Sequence, residues 1–186
     1  MINDRVVMGI AGMPGAGKGV FRRTILRMGY PVVTMGDEVR AEVKRRNLQP
    51  TPNNLGKTML NLRELEGQAA IAKRCIPNVE NRTQRLVVID GIRSLVEVDE
   101  FKKKFARFIL VAIHASPKTR YQRLFRRRRS DDPLDWKTFM ERDLRELGIG
   151  MGSVISVADY MIVNEGSIGQ LKQKIMQLMR EVLNNK

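Results

Sequence analysis

The residues with the clearest chemical signature lie near the amino terminus, in the stretch VVMGIAGMPGAGKGV over residues 6–20. Gly12, Gly17 and Lys18 in this stretch satisfy the spacing G-x-x-x-x-G-K. A loop of this kind curls its backbone N–H groups inward around a phosphate chain, and the lysine adds positive charge. The sequence therefore predicts a phosphate-binding loop, with contacts expected from Gly12, Met13, Pro14, Gly15, Ala16, Gly17, Lys18, Gly19 and Val20.

The loop departs from the usual motif directly after its lysine. A serine or threonine hydroxyl normally stands there and reaches Mg²⁺, but this chain has Gly19 followed by Val20. Magnesium must then be held by other groups or by water. We expect Asp90 to hold it through a water molecule. This acid ends the apolar run LVVID at residues 86–90, and the carboxyl ends of buried parallel strands lie beside such loops.

Strand and helix patterns alternate along the chain and place the loop between the first strand and the first helix. Apolar runs typical of buried strands begin at residue 6 and cover residues 31–35, 86–90, 108–115 and 160–163. Apolar residues at helical spacing predict helices close to residues 20–28, 37–46, 52–65, 66–75, 95–105, 118–129, 135–147 and 168–182. The glycine-rich segment 148–153 has no strand before it, so we expect a flexible connector there.

Some polar residues have patterns that favour a structural role. Ser94 and Glu97 have the spacing of a capping box. His114, the single histidine, stands at the end of a predicted strand. Lys57 and Arg63 are expected on the solvated face of their helix, although both are also candidate ligands.

Arginines concentrate in the later half of the chain. Arg123 and Arg127 are four residues apart and therefore share one face of a helix. Arg129, which precedes Ser-Asp-Asp-Pro, is expected to begin a short lid over about residues 127–137. Arg142 is either a lid arginine or a member of ordinary ion pairs, because acids surround it. The alternative for the whole arginine run is a nucleic-acid patch.

Two segments of the first half resemble adenylate kinases. The run VTMGDEVRAEV resembles the segment that opens their monophosphate-binding region, with Thr34, Asp37 and Arg40 in matching positions. The run IDGIRS resembles their DGFPR turn without its proline, and Arg93 matches the arginine. The resemblance implies that Thr34, Asp37, Arg40 and Arg93 bind the phosphate of an acceptor. Asp37 can also cap a helix and Arg40 can turn toward the phosphate loop, the alternative for Arg40 being a surface charge.

The resemblance to adenylate kinases extends to the pair Arg123 and Arg127, which matches the pair by which those enzymes contact ATP. The carboxyl-terminal quarter resembles dephospho-coenzyme A kinases, in which an Ala-Asp strand leads through Asn and Gly-Ser into the last helix. The matching residues here are Ala158, Asp159, Asn164, Gly166 and Ser167. In such enzymes the backbone near residues 164–166 would lie against the adenine of ATP.

Nearly the whole chain resembles an archaeal group of nucleotide-kinase-like P-loop proteins. This resemblance implies an α/β fold, with a five-stranded parallel sheet and helices on both faces. It also implies a single domain over residues 1–186, with an acceptor-binding insertion at about residues 37–85 and a short lid. The acceptor stays open, because adenylate kinases and dephospho-coenzyme A kinases accept different molecules.

The bulk composition narrows the class of protein. The chain has 186 residues, a formal net charge of +14 and one cysteine, Cys75. A lone cysteine cannot form an intrachain disulfide, which fits a reducing cytoplasm, and no Cys/His cluster can bind a metal. Without a signal peptide or an apolar run of transmembrane length, we expect a cytoplasmic protein with no membrane partner. The charge suits a polyanionic nucleotide or a nucleic acid, and an aromatic content of 5% favours the nucleotide.

These features together predict transfer of the γ-phosphoryl group of MgATP to a phosphate-bearing small molecule. The expected catalytic residues are Lys18, Arg40, Arg93, Arg123, Arg129 and Arg142. The competing hypothesis is an ATP-dependent switch that acts on RNA or ribosomal particles with slow hydrolysis. A third hypothesis is that the protein binds nucleotide only for stability.

Overall fold

The computed structural model describes residues 5–129 and 132–184, and its centre is a sheet of parallel strands. The strands are β1 (Val6–Ala11), β2 (Val32–Thr34), β3 (Leu86–Asp90), β4 (Phe108–His114) and β5 (Tyr160–Val163). They are hydrogen-bonded in the order β2-β3-β1-β4-β5, which puts β1 in the middle. The predicted α/β fold with a five-stranded parallel sheet is confirmed.

Helices connect the strands and cover both faces of the sheet. In the described residues they are α1 (Lys18–Arg27), α2 (Met35–Arg45), α3 (Pro52–Glu66), α4 (Ala70–Glu80), α5 (Leu95–Lys104), α6 (Pro117–Arg127), α7 (Trp136–Ile149), α8 (Met151–Ser156) and α9 (Ile168–Asn184). None of the helices in residues 5–129 and 132–184 combines the length and apolar character needed to cross a membrane.

Alternate residues of the strands send their side chains into two separate apolar cores. Val7 and Val87 point to one face, where α2 to α5 and α8 pack. Met8, Val88 and Val111 point to the other face, which α1 and α9 cover. Because both faces are buried, the strands appear in the sequence as continuous apolar runs.

The strand register brings three chemically important positions to one edge of the sheet. Ile10, just before the phosphate loop, pairs with Asp90, and Thr34 pairs with the same Asp90 from the other side. Parallel strands end at a common edge, where open α/β sheets bind their ligands. The loop after β1, the end of β2 and the end of β3 therefore open into the same space.

The glycine-rich segment 148–153 is not the flexible connector that the sequence suggested. Helix α7 continues to Ile149, Gly150 takes a φ of 114°, and α8 begins at Met151. Met151 and Val154 are 3% and 0% exposed, so an apolar pair three residues apart fixes this turn against the core. In the sequence, the glycines at 148, 150 and 152 favoured a connector and drew attention away from this apolar spacing.

Two other helices differ from the prediction at their ends. α2 begins at Met35, so Asp37 lies inside its first turn and does not cap it. Thr34 takes the capping position, without a side-chain capping bond. α4 covers Ala70–Glu80 instead of 66–75, and Val79 near its end is fully buried.

One buried carboxylate ties α2 to α4 within the predicted insertion. The Glu42 side chain is 1% exposed and accepts hydrogen bonds from Arg45 Nε at 2.8 Å, Arg46 Nε at 2.7 Å and Arg74 Nη1 at 3.1 Å. These bonds, with Arg45 first, hold the pKa of Glu42 far below its ordinary value. Since Arg74 belongs to α4, the cluster fixes the two helices against each other.

We expect Glu42→Gln to lower the free energy of unfolding by about 3 kcal/mol at neutral pH, because removal of one partner from a buried ion cluster leaves uncompensated charge. The folded-state pKa of Glu42 is lowered, so its stabilisation is present above the ordinary value of 4.5 and is lost as pH falls below it. Denaturant unfolding at neutral pH and at about pH 3 should therefore show the difference from wild type shrinking with acidification.

Glu80→Gln is the matched control. The Glu80 side chain pairs with Lys104 at 2.8 Å but is 45% exposed. Its loss should cost less than about 1 kcal/mol, as for other exposed pairs. Equal losses in the two variants would contradict a special role for Glu42.

Candidate active site

A cavity of about 980 Å³ opens at the carboxyl edge of the sheet. Among the described residues, nine arginines and Lys18 line it against three carboxylates, those of Asp90, Glu97 and Glu146. A concave site with such an excess of positive charge attracts polyanions. The arginines are Arg22, Arg23, Arg40, Arg63, Arg93, Arg123, Arg127, Arg129 and Arg142.

Most of the predicted phosphate loop lines this cavity. The lining residues are Pro14, Gly15, Gly17, Lys18, Gly19 and Val20. Met13 and Ala16 instead belong to the two apolar cores. A Cβ on Gly12 would lie 2.5 Å from the carbonyl oxygen of Ile113, so this residue packs against β4. Gly12, Met13 and Ala16 therefore support the loop from the interior of the protein.

Two glycines let the loop approach its neighbours more closely than other residues allow. Gly15 has a φ of 83°, and a Cβ there would lie 2.8 Å from the backbone oxygen of Arg120. Gly17 has a φ of 122°, and its Cβ would lie 2.6 Å from Nδ2 of Asn164. Glycine is therefore required at both positions for backbone conformation and for space.

Side chains from α6 and from the end of β5 hold the loop in place. Arg120 is 4% exposed, and its Nη1 donates to the Pro14 carbonyl at 3.3 Å and to Asp143 Oδ1 at 2.7 Å. Asn164 Nδ2 donates to the Ala16 carbonyl at 2.7 Å. These bonds fix the backbone whose N–H groups would surround a phosphate chain.

Lys18 and Asp90 affect each other's titration at this end of the cavity. The Lys18 ammonium donates hydrogen bonds to the carbonyls of Gly12 and Met13, the second at 3.4 Å. Burial lowers the pKa of Lys18 to about 8, and the Asp90 carboxylate opposes this effect. Burial raises the pKa of Asp90, which Lys18 opposes. The loop lysine thus folds back onto its own loop, with a pKa lowered to about 8.

Three of the four predicted acceptor residues line the cavity, and the fourth does not. The three are Thr34, Arg40 and Arg93. Asp37 is exposed on α2 and accepts from Arg40 Nε at 3.1 Å. Arg93 Nη1 donates to Glu146 at 3.3 Å. The Thr34 hydroxyl is buried without a hydrogen-bond partner in the described part of the chain.

Arg63 lies in the cavity and not on a solvated face, which corrects the prediction for this residue. Its side chain is 10% exposed, and its Nη2 donates to Glu97 Oε1 at 2.8 Å. Its Nε is buried and unpaired within residues 5–129 and 132–184. A buried unpaired donor costs about 1–3 kcal/mol. Lys57 is exposed, as predicted.

The capping box at the start of α5 is only partly as predicted. The Ser94 hydroxyl accepts from the Glu97 N–H at 3.4 Å, so the cap itself is confirmed. The Glu97 carboxylate, however, accepts from the Arg93 N–H at 2.8 Å and pairs with Arg63. Glu97 therefore lines the cavity in addition to supporting the start of α5.

Arg123 lines the other side of the cavity, where β5 ends. Its Nη1 donates to the Asn164 carbonyl at 3.0 Å and its Nη2 to the Gly166 carbonyl at 3.2 Å. Asn164 and Gly166 line the cavity as well, together with Ile168 and Leu171. The segment expected against adenine thus forms a wall with polar backbone and apolar side chains.

The arginines of the predicted lid converge on one acid. Arg127 Nε donates to Asp132 at 2.9 Å, the Arg129 N–H donates to Asp132 at 2.9 Å, and Arg142 Nη1 lies 3.9 Å from it. The Arg127 guanidinium holds the pKa of Asp132 below its ordinary value. Within the predicted lid of 127–137, residues 130 and 131 lie outside the described part of the chain.

Sequence reasoning missed several residues of this site. Arg22 lies four residues after Lys18, so helical spacing from the motif could have identified it. Arg120 and Asp143 are buried partners separated by 23 residues, and no local pattern indicates such a pair.

Comparison with known proteins agrees with this architecture. A family model described as an AAA domain matches residues 11–139. The UPF0200 protein of Methanocaldococcus jannaschii is 44% identical over 182 residues, which cover 97% of this chain and 92% of that protein. A shikimate kinase from Acinetobacter baumannii, solved in complex with shikimate, superimposes with a TM-score of 0.59 and 20% identity, over 99% of this chain and 97% of that one. A gluconokinase from Sinorhizobium meliloti gives a TM-score of 0.57 and 14% identity, over 98% and 95% of the chains. The fold is therefore that of P-loop kinases.

The titration of Lys18 predicts a pH dependence of nucleotide affinity. ATP favours the protonated ammonium, so affinity should be constant below the Lys18 pKa of about 8 and fall above it. The fall should approach tenfold per pH unit at most. Calorimetric titration between about pH 7 and 9.5 measures it, and Lys18→Arg should bind without this dependence because its guanidinium stays charged. The same decline in Lys18→Arg would exclude Lys18 as its source.

The close contact at Gly15 predicts a specific effect on binding. Gly15→Ala should weaken ATP binding at least about tenfold, equivalent to roughly 1.4 kcal/mol, because the loop must move away from the Arg120 backbone. Gly29→Ala is the matched control, since Gly29 has a φ of 84° and, apart from its chain neighbours, no atom of the described residues lies within 4 Å of an added Cβ. Both variants should lose about 1–2 kcal/mol of stability to left-handed backbone strain. Equal ATP affinity in the two variants would contradict the role given to the contact.

Proposed function

This chain belongs to the UPF0200 family and contains an AAA domain, and from that premise we propose that it transfers the γ-phosphoryl group of ATP to a nucleotide-type acceptor bearing a phosphate. The solved structures named above are kinases of other small molecules, and their likeness supports the fold required for this chemistry. The acceptor itself is proposed from the site.

The observation that carries the proposal is the collection of positive side chains from both halves of the chain around one phosphate loop. Nine arginines and Lys18 face a cavity of about 980 Å³ in the described structure. This volume lies at the upper end of the range for a single small-ligand site, so two substrates have room. A polyphosphate donor and a phosphate-bearing acceptor together carry the negative charge that would balance these positive side chains.

The donor half of the cavity is assigned to ATP. Lys18 and the loop N–H groups bind the β and γ phosphates, in place of the carbonyl contacts that Lys18 makes in the structure. Arg123, Arg127, Arg129 and Arg142 approach from the other side. The wall formed by residues 164–166 contacts the adenine.

The acceptor half of the cavity is assigned to the second substrate. Arg40 and Arg93 bind the acceptor phosphate, each exchanging a carboxylate partner, Asp37 or Glu146, for phosphate oxygens. Thr34 supplies a hydroxyl that has no hydrogen-bond partner among the described residues. Asp37 itself is proposed to hold Arg40 only until the phosphate binds, and not to touch the substrate.

The residues around Asp90 suit magnesium held mainly by phosphates and water. Mg²⁺ usually keeps several waters and takes only one or two carboxylates beside substrate phosphates. Asp90 is a single carboxylate at the end of β3, and the described residues contain no cluster of three or more side chains for a metal. When bound, Mg²⁺ would neutralise charge on the transferring phosphoryl group, and Asp90 would hold it through water.

The proposed acceleration comes from positioning and electrostatics. The transferring phosphoryl group spreads negative charge over its oxygens, and fixed arginines stabilise that charge without a covalent intermediate. The arginines are already oriented by ion pairs, such as that of Arg93 with Glu146. No side chain needs to act as a nucleophile.

One observation favours the RNA-directed switch as a second candidate. Phe125 and Trp136 are 44% and 46% exposed, and both rings pack on Tyr121. Arg126 and Arg128, which follow Phe125 in the sequence, are also exposed. Exposed rings beside cations are the elements of a single-strand binding surface.

The first experiment is ADP formation from MgATP with AMP, CMP, UMP, GMP or dephospho-coenzyme A as acceptor. We expect one acceptor to stimulate ADP formation strongly, with the phosphorylated product recovered. Lys18→Ala should abolish turnover because it removes the loop's only ammonium.

The opposite result has a definite meaning. A slow ATPase that no acceptor changes would remove the kinase proposal, and a steep salt dependence of RNA binding that responds to ATP would support the switch. Turnover retained in Lys18→Ala would exclude the proposed site.

A further inference from the structure

The acceptor half of the cavity contains two polar atoms without partners. Oγ1 of Thr34 and Nε of Arg63 are both buried, and neither forms a hydrogen bond within the described ranges 5–129 and 132–184. Both residues line the cavity. Buried polar atoms in folded proteins are almost always paired, so a ligand that enters here is expected to pair with them.

The charge of Arg63 is already balanced. Its Nη2 donates to Glu97 Oε1 at 2.8 Å, and Glu97 Oε2 accepts from the Arg93 N–H at 2.8 Å. The Glu97 side chain is 1% exposed and both its oxygens are engaged, so a ligand meets the donor of Arg63 and not the acid. The pair carries no net charge and therefore suits a neutral hydrogen-bond acceptor better than another phosphate or carboxylate.

Apolar side chains surround these donors. Val39, Ile71 and Met151 line the cavity and are 7%, 3% and 3% exposed, and Met59 lies beside them as a partly buried residue. Methionine adapts its shape to a flat ring more easily than branched residues do. Apolar side chains around the N–H donors of a planar guanidinium match a heteroaromatic base that carries acceptor atoms on its edge.

We propose that Arg63 contacts the base of a nucleoside monophosphate acceptor and selects bases that carry an oxo group, such as guanine and uracil, over adenine. The proposal rests on the function above, because it presupposes a nucleotide acceptor. Arginine supplies donors only. Guanine offers O6 and N7 together to a guanidinium, whereas adenine places an amino group beside its N7.

Calorimetric binding of GMP, UMP and AMP to the full chain tests this selection without depending on turnover. GMP and UMP should bind about tenfold more tightly than AMP to the wild type, and this preference should fall below about threefold in Arg63→Lys. The lysine keeps a cation opposite Glu97 but lacks the planar fork of donors. Arg46→Lys, which alters an arginine paired with Glu42 outside the cavity, should retain the full preference.

Thermal unfolding establishes that each variant is folded before its binding is compared. If Arg63→Lys does not fold, the double variant Arg63→Met with Glu97→Gln is measured in its place: it removes the donors of Arg63 and the charge of Glu97 together, and the same loss of preference is expected. AMP bound as tightly as GMP and UMP, a preference retained without Arg63, shikimate or gluconate bound more tightly than the nucleotides, or no binding at all would each overturn the proposal.

ADP formation separates this proposal from the proposed function. GMP or UMP bound with the Arg63-dependent preference but without ADP formation would support the assignment of Arg63 and remove the kinase. Equal ADP formation with AMP and GMP in both wild type and Arg63→Lys would support the kinase and overturn the selection by Arg63.

Discussion

Repulsion among the positive side chains of one cavity is the constraint on which the arrangement of this site depends. Ten cationic side chains line the cavity in the described structure, and acids stand beside several of them. Asp132 is shared by Arg127 and Arg142, Glu146 pairs with Arg93, and Glu97 pairs with Arg63. A cavity lined by unopposed cations would destabilise the folded chain through self-repulsion. The acids reduce this repulsion while leaving the total charge of the cavity strongly positive.

The phosphate loop is held in its conformation by side chains from other parts of the chain. Its carbonyls at Pro14 and Ala16 accept hydrogen bonds from Arg120 and Asn164, which fixes the backbone whose N–H groups would face a phosphate chain. Arg120 is itself neutralised by Asp143, so a full charge is buried beside the loop with its partner. The two glycines at 15 and 17 permit this close approach. The loop geometry is therefore fixed by α6, by α7 and by the residue that follows β5, all of which are distant from the loop in sequence.

The sequence predicted the fold well because the strands are buried on both faces. Continuous apolar runs such as LVVID at 86–90 are typical of buried parallel strands. The phosphate motif then indicates that the site lies at the carboxyl ends of these strands. Turns and long-range side-chain pairs were harder to predict from the sequence. The glycines of segment 148–153 suggested a connector, yet burial of Met151 and Val154 produced a helix. Arg63 looked like a surface residue because its partner, Glu97, lies 34 residues away and outside its helix.

Helix α6 carries residues that face two different regions, and this has a thermodynamic consequence. Arg120 contacts the phosphate loop, while Arg123 and Arg127, one turn and two turns later, face the opposite wall and Asp132. A shift of this one helix alters the loop and the wall together. A ligand that moved α6 through the loop would therefore also change affinity at the wall, and by linkage the effect would be reciprocal. In the proposed ATP complex, α6 would couple the phosphate end of the nucleotide to its adenine end.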